Sequence, residues 1–145
     1  QTPASIDYRA MSTIMFLSPE VASVGLGEQQ ARERGIAYRV ASIDNQLITR
    51  NVAMRNTRGF IKLLAATDDT ILGLRVVGPQ ASSCIQGIAL LIGLGGKLVD
   101  IARVVHPHPA VTEGVQECAR LLLGQSVLKP AITGGVRLSS YRPPG

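Results

Sequence analysis

Two apolar segments joined by a short polar turn constrain the fold more than any other feature of the chain. Residues 59–66 (GFIKLLAA) and 71–78 (ILGLRVVG) flank the turn 67–70 (TDDT). Strand-forming segments on both sides of a polar connection are typical of an antiparallel β-hairpin. Gly78-Pro79 ends the second segment, because proline cannot donate a hydrogen bond to a sheet. We therefore predict a hairpin near the middle of the chain.

The chain before this hairpin contains further strand-like segments. Those at 13–18 (TIMFLS) and 21–26 (VASVGL) have the pattern of two short apolar strands broken at Ser18-Pro19, because proline cannot donate to a sheet, and we expect them to form one strand with a kink. A charged segment follows and ends at Gly35, which predicts a short surface helix over residues 28–34. Two more segments are strand-like but alternate poorly, at 36–43 (IAYRVASI) and at about 47–54.

Helical periodicity replaces the strand pattern after Pro79. Apolar residues recur at three- and four-residue spacing over 84–92, with Ser82 or Ser83 available as a cap and Gly95-Gly96 as the stop. A shorter helix is predicted over 97–103, and a last one carries an apolar face over 111–122. Strands precede helices, so we predict an α+β fold, an antiparallel sheet of about four to five strands with flanking helices.

One domain suits a chain of 145 residues. We expect residues 1–11 to be the remnant of a preceding linker and residues 12–124 to form the domain. Prolines and glycines without a periodic apolar face predict an extended or flexible tail over 125–145. Because the first residue is Gln1 and no signal peptide follows it, we expect a fragment of a longer protein.

Composition argues against several classes of function. No apolar run reaches the length of about 18 residues that a membrane span requires. The net charge is +5, but the arginines are scattered, and the chain has no Trp and few other aromatic residues to stack on bases, so we expect no nucleic-acid partner. Cys84 and Cys118 lie far apart, which predicts small core residues, not a disulfide framework or zinc site, and favours a cytoplasmic location.

The segment 106–113 (HPHPAVTE) holds both histidines of the chain. His108 and Glu113 are candidates for a general acid/base pair, because a carboxylate bonded to one ring nitrogen orients the imidazole and leaves the other nitrogen free for proton transfer. From spacing alone, histidines in turns and caps before a helix remain the more common explanation. A metal site at His106 and His108 is a weaker alternative, because metal sites usually recruit a third ligand and the rigid prolines make it awkward for both rings to converge on one ion.

Sequence signatures of nucleotide binding are missing. Gly25-Leu26-Gly27 is not followed by the third glycine of a dinucleotide fingerprint, and residues 91–98 lack both the first glycine and the hydroxyl residue of a P-loop. A Cys-x4-Cys redox pair is also absent from the sequence. These residues predict no cofactor bound by the chain itself.

Several strings occur in the order found in a known domain: 16–25 (FLSPEVASVG), 59–64 (GFIKLL), 71–79 (ILGLRVVGP), Gln86-Gly87 and 108–113 (HPAVTE). Over about residues 12–124 the chain resembles the C-terminal dimerisation domain of the FAD-dependent pyridine nucleotide-disulfide oxidoreductases, the family of dihydrolipoamide dehydrogenase, glutathione reductase and mercuric reductase. Ala110 stands where the family commonly has Thr, and the tail lacks the paired cysteines of a mercuric reductase.

This resemblance implies an obligate homodimer in which His108 acts as acid/base for the redox thiols of the partner subunit, with Glu113 as its orienting partner. It implies a cis bond between His108 and Pro109, whose backbone borders the partner's flavin. FAD and NAD(P)H would be bound by other domains of the same polypeptide, so the isolated chain should be inactive. Two alternatives stay open: a stand-alone homodimeric interaction module, and a relative acting on a non-disulfide acceptor. The sequence does not choose the acceptor, or NADH over NADPH.

Overall fold

The computed structural model describes residues 7–128 and 134–144. A six-stranded antiparallel sheet with strand order β1-β2-β5-β4-β3-β6 forms its centre. The strands are β1 (Ser12–Met15), β2 (Val21–Gly25), β3 (Tyr38–Asp44), β4 (Phe60–Ala66), β5 (Ile71–Val77) and β6 (Val136–Tyr141). The helices are α1 (Glu28–Glu33), α2 (Thr49–Ala53), α3 (Ala81–Leu94), α4 (Leu98–Ala102) and α5 (Glu113–Leu122), with 3-10 turns at Tyr8–Ala10 and Asn45–Leu47. The α+β class is confirmed, with one strand more than expected.

The predicted central hairpin is confirmed as β4 and β5. Their register runs from Phe60 opposite Val77 to Ala65 opposite Ile71, with an irregularity between Leu64 and Ala65. The helix after Pro79 is confirmed as α3, which ends at Gly95 in a left-handed conformation. Its start differs from the prediction. Ser82 lies inside the helix, and its N–H donates to Oε1 of Glu20 at 2.8 Å, so the carboxylate of a distant loop serves the helix start.

Two strand predictions were wrong. Instead of one kinked strand, β1 and β2 are antiparallel neighbours, with Ser12 opposite Val24 and Met15 opposite Val21. The chain reverses between them, because Ser18-Pro19 interrupts the ladder and pairing with β2 satisfies the backbone of the exposed β1.

The segment 47–54, predicted as strand-like, contains the end of a 3-10 turn and the short helix α2. Tertiary contacts account for this difference. Asn45 is buried, and its side-chain amide donates to the carbonyl oxygens of Arg58 at 2.8 Å and Val77 at 2.9 Å. Ile48 is also buried, in the main core. These two anchors hold the segment in a compact turn, against its local strand preference.

Part of the tail belongs to the sheet. We expected an extended or flexible arm over 125–145, and within it β6 pairs with β3 from Val136 opposite Ile43 to Tyr141 opposite Tyr38. The rings of Tyr38 and Tyr141 stack with their centroids 5.5 Å apart. The guanidinium of Arg32 lies over both rings. Residues 129–133 and 145 of this tail, like residues 1–6 of the expected linker, lie outside the described part.

The core has two unequal parts. The larger lies between one face of the sheet and helices α3, α4 and α5, whereas a small cluster of Ala31, Tyr38, Val40 and Leu64 covers part of the other face under α1. Both cysteines are free and buried, as predicted. Burial raises the pKa of the Cys84 and Cys118 thiols to about 12, so neither is poised to react.

Candidate active site

The loop between α4 and α5 carries both histidines. It leaves α4 after Ala102 and enters α5 at Glu113. The prolines at 107 and 109 restrict the residues before them, which keeps His106 and His108 out of helical geometry. The peptide bond between His108 and Pro109 is cis, as the resemblance implied. The imidazole of His108 lies on this loop with 67% of its side chain exposed.

His108 and Glu113 are in contact. Nδ1 of His108 lies 2.8 Å from Oε1 of Glu113, and Oε2 of the same carboxylate accepts a hydrogen bond from the Ala110 N–H at 2.7 Å. The carboxylate therefore holds the ring and the backbone just beyond it at once.

Electrostatics keep the carboxyl of Glu113 ionised. Burial opposes ionisation, but the hydrogen bonds from the Ala110 N–H and the His108 ring, together with the two nearby imidazoles, lower the pKa of Glu113 below its usual value. Glu113 is also the first residue of α5, where the positive end of the helix dipole stabilises the negative charge of the carboxylate. An anionic carboxylate accepts from both partners, which is what a fixed orientation of the ring requires.

This arrangement can move a proton. With Nδ1 engaged by the carboxylate, the free nitrogen of His108 is Nε2, for which the described residues provide no hydrogen-bond partner. A ring held through one nitrogen and open at the other can accept a proton from an outside group and return it. The chemistry available here is therefore general acid/base chemistry toward a group supplied from outside the chain.

His106 does not join this pair. Its Nδ1 lies 3.1 Å from the carbonyl oxygen of Val104, and its ring is only partly exposed. Across residues 7–128 and 134–144, no group of three or more His, Cys, Asp or Glu side chains is placed to hold a metal ion. The two histidines thus have separate environments, and only His108 has a carboxylate partner.

The structure adds one residue that the sequence analysis missed. Gln116 lies on α5 one turn after Glu113, is buried, and donates its amide to backbone carbonyls where the loop leaves α4. The sequence gives little sign of such a residue, because its acceptors are main-chain groups.

A family model decides the identity of the domain. The model of the pyridine nucleotide-disulphide oxidoreductase dimerisation domain matches residues 11–119. The chain belongs to this family. The match includes His108, Glu113 and Gln116 and ends before β6, which lies at the β3 edge of the sheet.

Curated relatives agree with this assignment. A dihydrolipoyl dehydrogenase of Geobacillus stearothermophilus is 37% identical over 126 residues, which cover 86% of this chain and 27% of the relative. The Haloarcula marismortui protein named dihydrolipoyl dehydrogenase 3 is 34% identical over 119 residues, covering 81% of this chain and 25% of the relative. The chain thus spans about a quarter of the length of the relatives it matches.

Solved structures confirm the fold of the dimerisation domain. LpdA from Mycobacterium tuberculosis superimposes with a TM-score of 0.77 at 24% identity, covering 82% of this chain and 26% of that one. The HOCl-induced flavoprotein disulfide reductase RclA from Escherichia coli gives a TM-score of 0.75 at 23% identity, covering 79% of this chain and 26% of that one.

In the described part of the chain, no helix is long and apolar enough to cross a bilayer.

Proposed function

We propose that this domain supplies His108, oriented by Glu113, as the acid/base for the redox thiols in the active site of a partner subunit. The parent protein would be a FAD-dependent NAD(P)H:disulfide oxidoreductase. The observation that carries the proposal is the 2.8 Å contact between His108 Nδ1 and Glu113 Oε1 beneath an exposed ring. The ring has the geometry of a proton donor and acceptor, and its substrate group must come from elsewhere.

Thiol-disulfide exchange needs such a base. The thiolate is the reactive form of cysteine, so a neighbouring group must take the thiol proton and later return it. Neither cysteine of this chain serves as that thiol, because both are buried and their pKa values are raised by burial. The thiol pair would lie on another domain, and His108 Nε2 would accept and donate its proton.

The cofactors would also be held elsewhere. The sequence has no fingerprint for binding FAD or NAD(P)H, and the exposed loop at His108-Pro109 fits a place beside a flavin held by the partner subunit. FAD when bound there would supply electron transfer to the disulfide. The isolated chain would bind neither cofactor tightly and would show no turnover. Two free, buried thiols suit a reducing compartment such as the cytoplasm.

The outer face of α3 is suited to contact with a second copy. Leu90 and Leu94 are 59% and 83% exposed, which is unusual for large apolar side chains one helical turn apart. Gly87 and Gly93 lie on the same face, and apart from their chain neighbours and the local helix backbone no described atom comes within 4 Å of the place where their Cβ would be. Glycine inside a helix costs about 1 kcal/mol relative to alanine. Close approach of a second α3 would explain why small residues stand here.

Two measurements test the proposal. Sedimentation of the 145-residue chain should show a dimer at micromolar concentration, as obligate interfaces of more than about 2,000 Å² do. In the full-length parent enzyme, His108→Ala should lower thiol-linked turnover by roughly 10²- to 10⁴-fold, the usual contribution of a general acid/base. Unchanged turnover would contradict the proposed role of His108 and Glu113.

A further inference from the structure

The loop that presents His108 has little backbone support of its own. Within the described part of the chain, residues 104–110 take part in no backbone–backbone hydrogen bond. Two of these residues are prolines, which have no N–H to donate. Side chains from neighbouring elements must therefore hold the loop in place.

Glu113 holds the end of the loop nearest α5, through the Ala110 N–H and the His108 ring. Gln116 holds the other end. Its Nε2 lies 2.6 Å from the carbonyl oxygen of Val104 and 3.1 Å from that of Ala102, with the carbonyl oxygen of Ile101 at 3.4 Å. The Val104 oxygen also lies 3.1 Å from Nδ1 of His106, so the amide and the second histidine meet at one acceptor.

Carbonyl groups at the end of a helix need partners from outside the helix. Helix α4 ends at Ala102, so the carbonyls of Ile101 and Ala102 belong to its final turn. Gln116 provides the donors, and at 5% exposure its amide is shielded from water that could take its place. Helix α5 thus fastens the end of α4 and the first residues of the loop with one side chain.

We infer that Gln116 is a positioning residue, which with Glu113 one turn earlier on α5 holds both ends of the histidine loop and sets where His108 is presented. Residues three positions apart lie on the same face of a helix, so one rigid element controls both attachments. The inference rests on the proposed function in one respect, because accurate placement of His108 matters for catalysis only if His108 is the acid/base. The contacts themselves do not depend on that function.

Replacement of Gln116 by methionine tests the inference. Gln116→Met keeps a similar length and volume but removes both N–H donors. In the 145-residue chain, the ring signals of His106 and His108 can be followed by NMR, as can the carboxyl signal of Glu113. We expect the single His108 tautomer with Nδ1 protonated to give way to a mixture. The pKa of Glu113 should rise toward its ordinary value of 4.5 as its two hydrogen bonds weaken.

Cys118→Ala provides the matched control. Cys118 is buried on the same helix, but its thiol faces the carbonyl oxygen of Ile61 in the sheet and not the loop. This control variant should lose stability while leaving the His108 and Glu113 signals unchanged. If the methionine variant does not fold, Gln116→Asn retains an amide but withdraws it by one methylene group, and it should give a smaller change in the same direction.

His108 and Glu113 signals unchanged in a folded Gln116→Met or Gln116→Asn chain would overturn the inference. Equal changes in Cys118→Ala would do the same, because they would reduce the effect to general loosening of α5. These signals report whether the contact between His108 and Glu113 is kept. If His108→Ala left turnover of the full-length enzyme unchanged, the proposed function would be contradicted. The effect of Gln116 on the His108 and Glu113 signals would not be affected by that outcome.

Discussion

At the scale of single residues, the carboxyl of Glu113 makes the stability of the folded chain depend on pH. Its pKa is lower in the folded chain than its ordinary value of 4.5, so the ionised form favours the folded state. Its contribution to stability is complete above that ordinary value. It is lost as the pH falls through the lower pKa of the folded chain.

We therefore predict that Glu113→Gln removes one acid-sensitive component of stability. Urea unfolding measured between about pH 2 and pH 7 should show a shallower fall toward acid in the variant than in the parent chain. Glu33→Gln on the surface of α1, where the carboxylate accepts from the side chain of Gln29, should leave the acid profile nearly unchanged. An identical acid profile for Glu113→Gln and the parent would show that Glu113 has no special environment.

Asn45 is the second residue on which the fold depends. Its amide is 1% exposed and bonds two backbone carbonyls that belong to separate parts of the chain. Asn45→Ala should lower the free energy of unfolding by about 2–3 kcal/mol, since two backbone acceptors lose the donor that the buried amide provides. Asn56→Ala, at an exposed position beyond α2, should change it by less than about 0.5 kcal/mol. Equal effects of the two substitutions in denaturant titrations would contradict this account.

At the scale of elements, β6 closes the β3 edge of the sheet. Tyr141 anchors it by stacking on Tyr38 beneath Arg32. Tyr141→Ala should cost about 1–2 kcal/mol and speed hydrogen exchange of the β3 amides that face β6. Arg142→Ala, next along the chain and exposed, is the control and should do neither. Unaltered exchange in Tyr141→Ala would mean that the aromatic stack does not secure the strand.

Some elements are determined by their own local sequence, and others by contacts with distant parts of the chain. The β4–β5 hairpin and α3 follow from their own turn residues and periodicity, so the sequence predicted both. The segment at Asn45–Leu47 and α2 did not follow, because distant carbonyls and the core determine its shape. Strand β6 was also missed as a strand, since its exposed side chains show no alternation and its partner β3 lies far away in sequence.

The site divides in the same way. The sequence offered His108 and Glu113 as a candidate pair from their side-chain chemistry, and the two side chains are in contact. Gln116 was not predicted, because it binds main-chain carbonyls, and a sequence does not show where those carbonyls lie.

At the scale of the whole molecule, assembly is the expected property. If α3 pairs with its copy, Leu90→Glu and Leu94→Glu together should raise the dimer dissociation constant at least about 100-fold, because four like charges would meet in an apolar contact. Leu138→Glu tests the specificity of this effect, since Leu138 is 57% exposed on β6, away from α3. A dimer of unchanged affinity in the double variant, measured by sedimentation, would place the interface elsewhere.

The central claim is that His108 serves the active site of the other subunit, and mixed dimers of the full-length parent enzyme test it most directly. One subunit would carry His108→Ala, and the other would lack a redox cysteine of the thiol pair. Each variant alone should form an inactive dimer. When the two are combined, one active site regains both an intact thiol pair and an intact His108, so turnover should return. A combined preparation that forms mixed dimers but remains inactive would contradict the account.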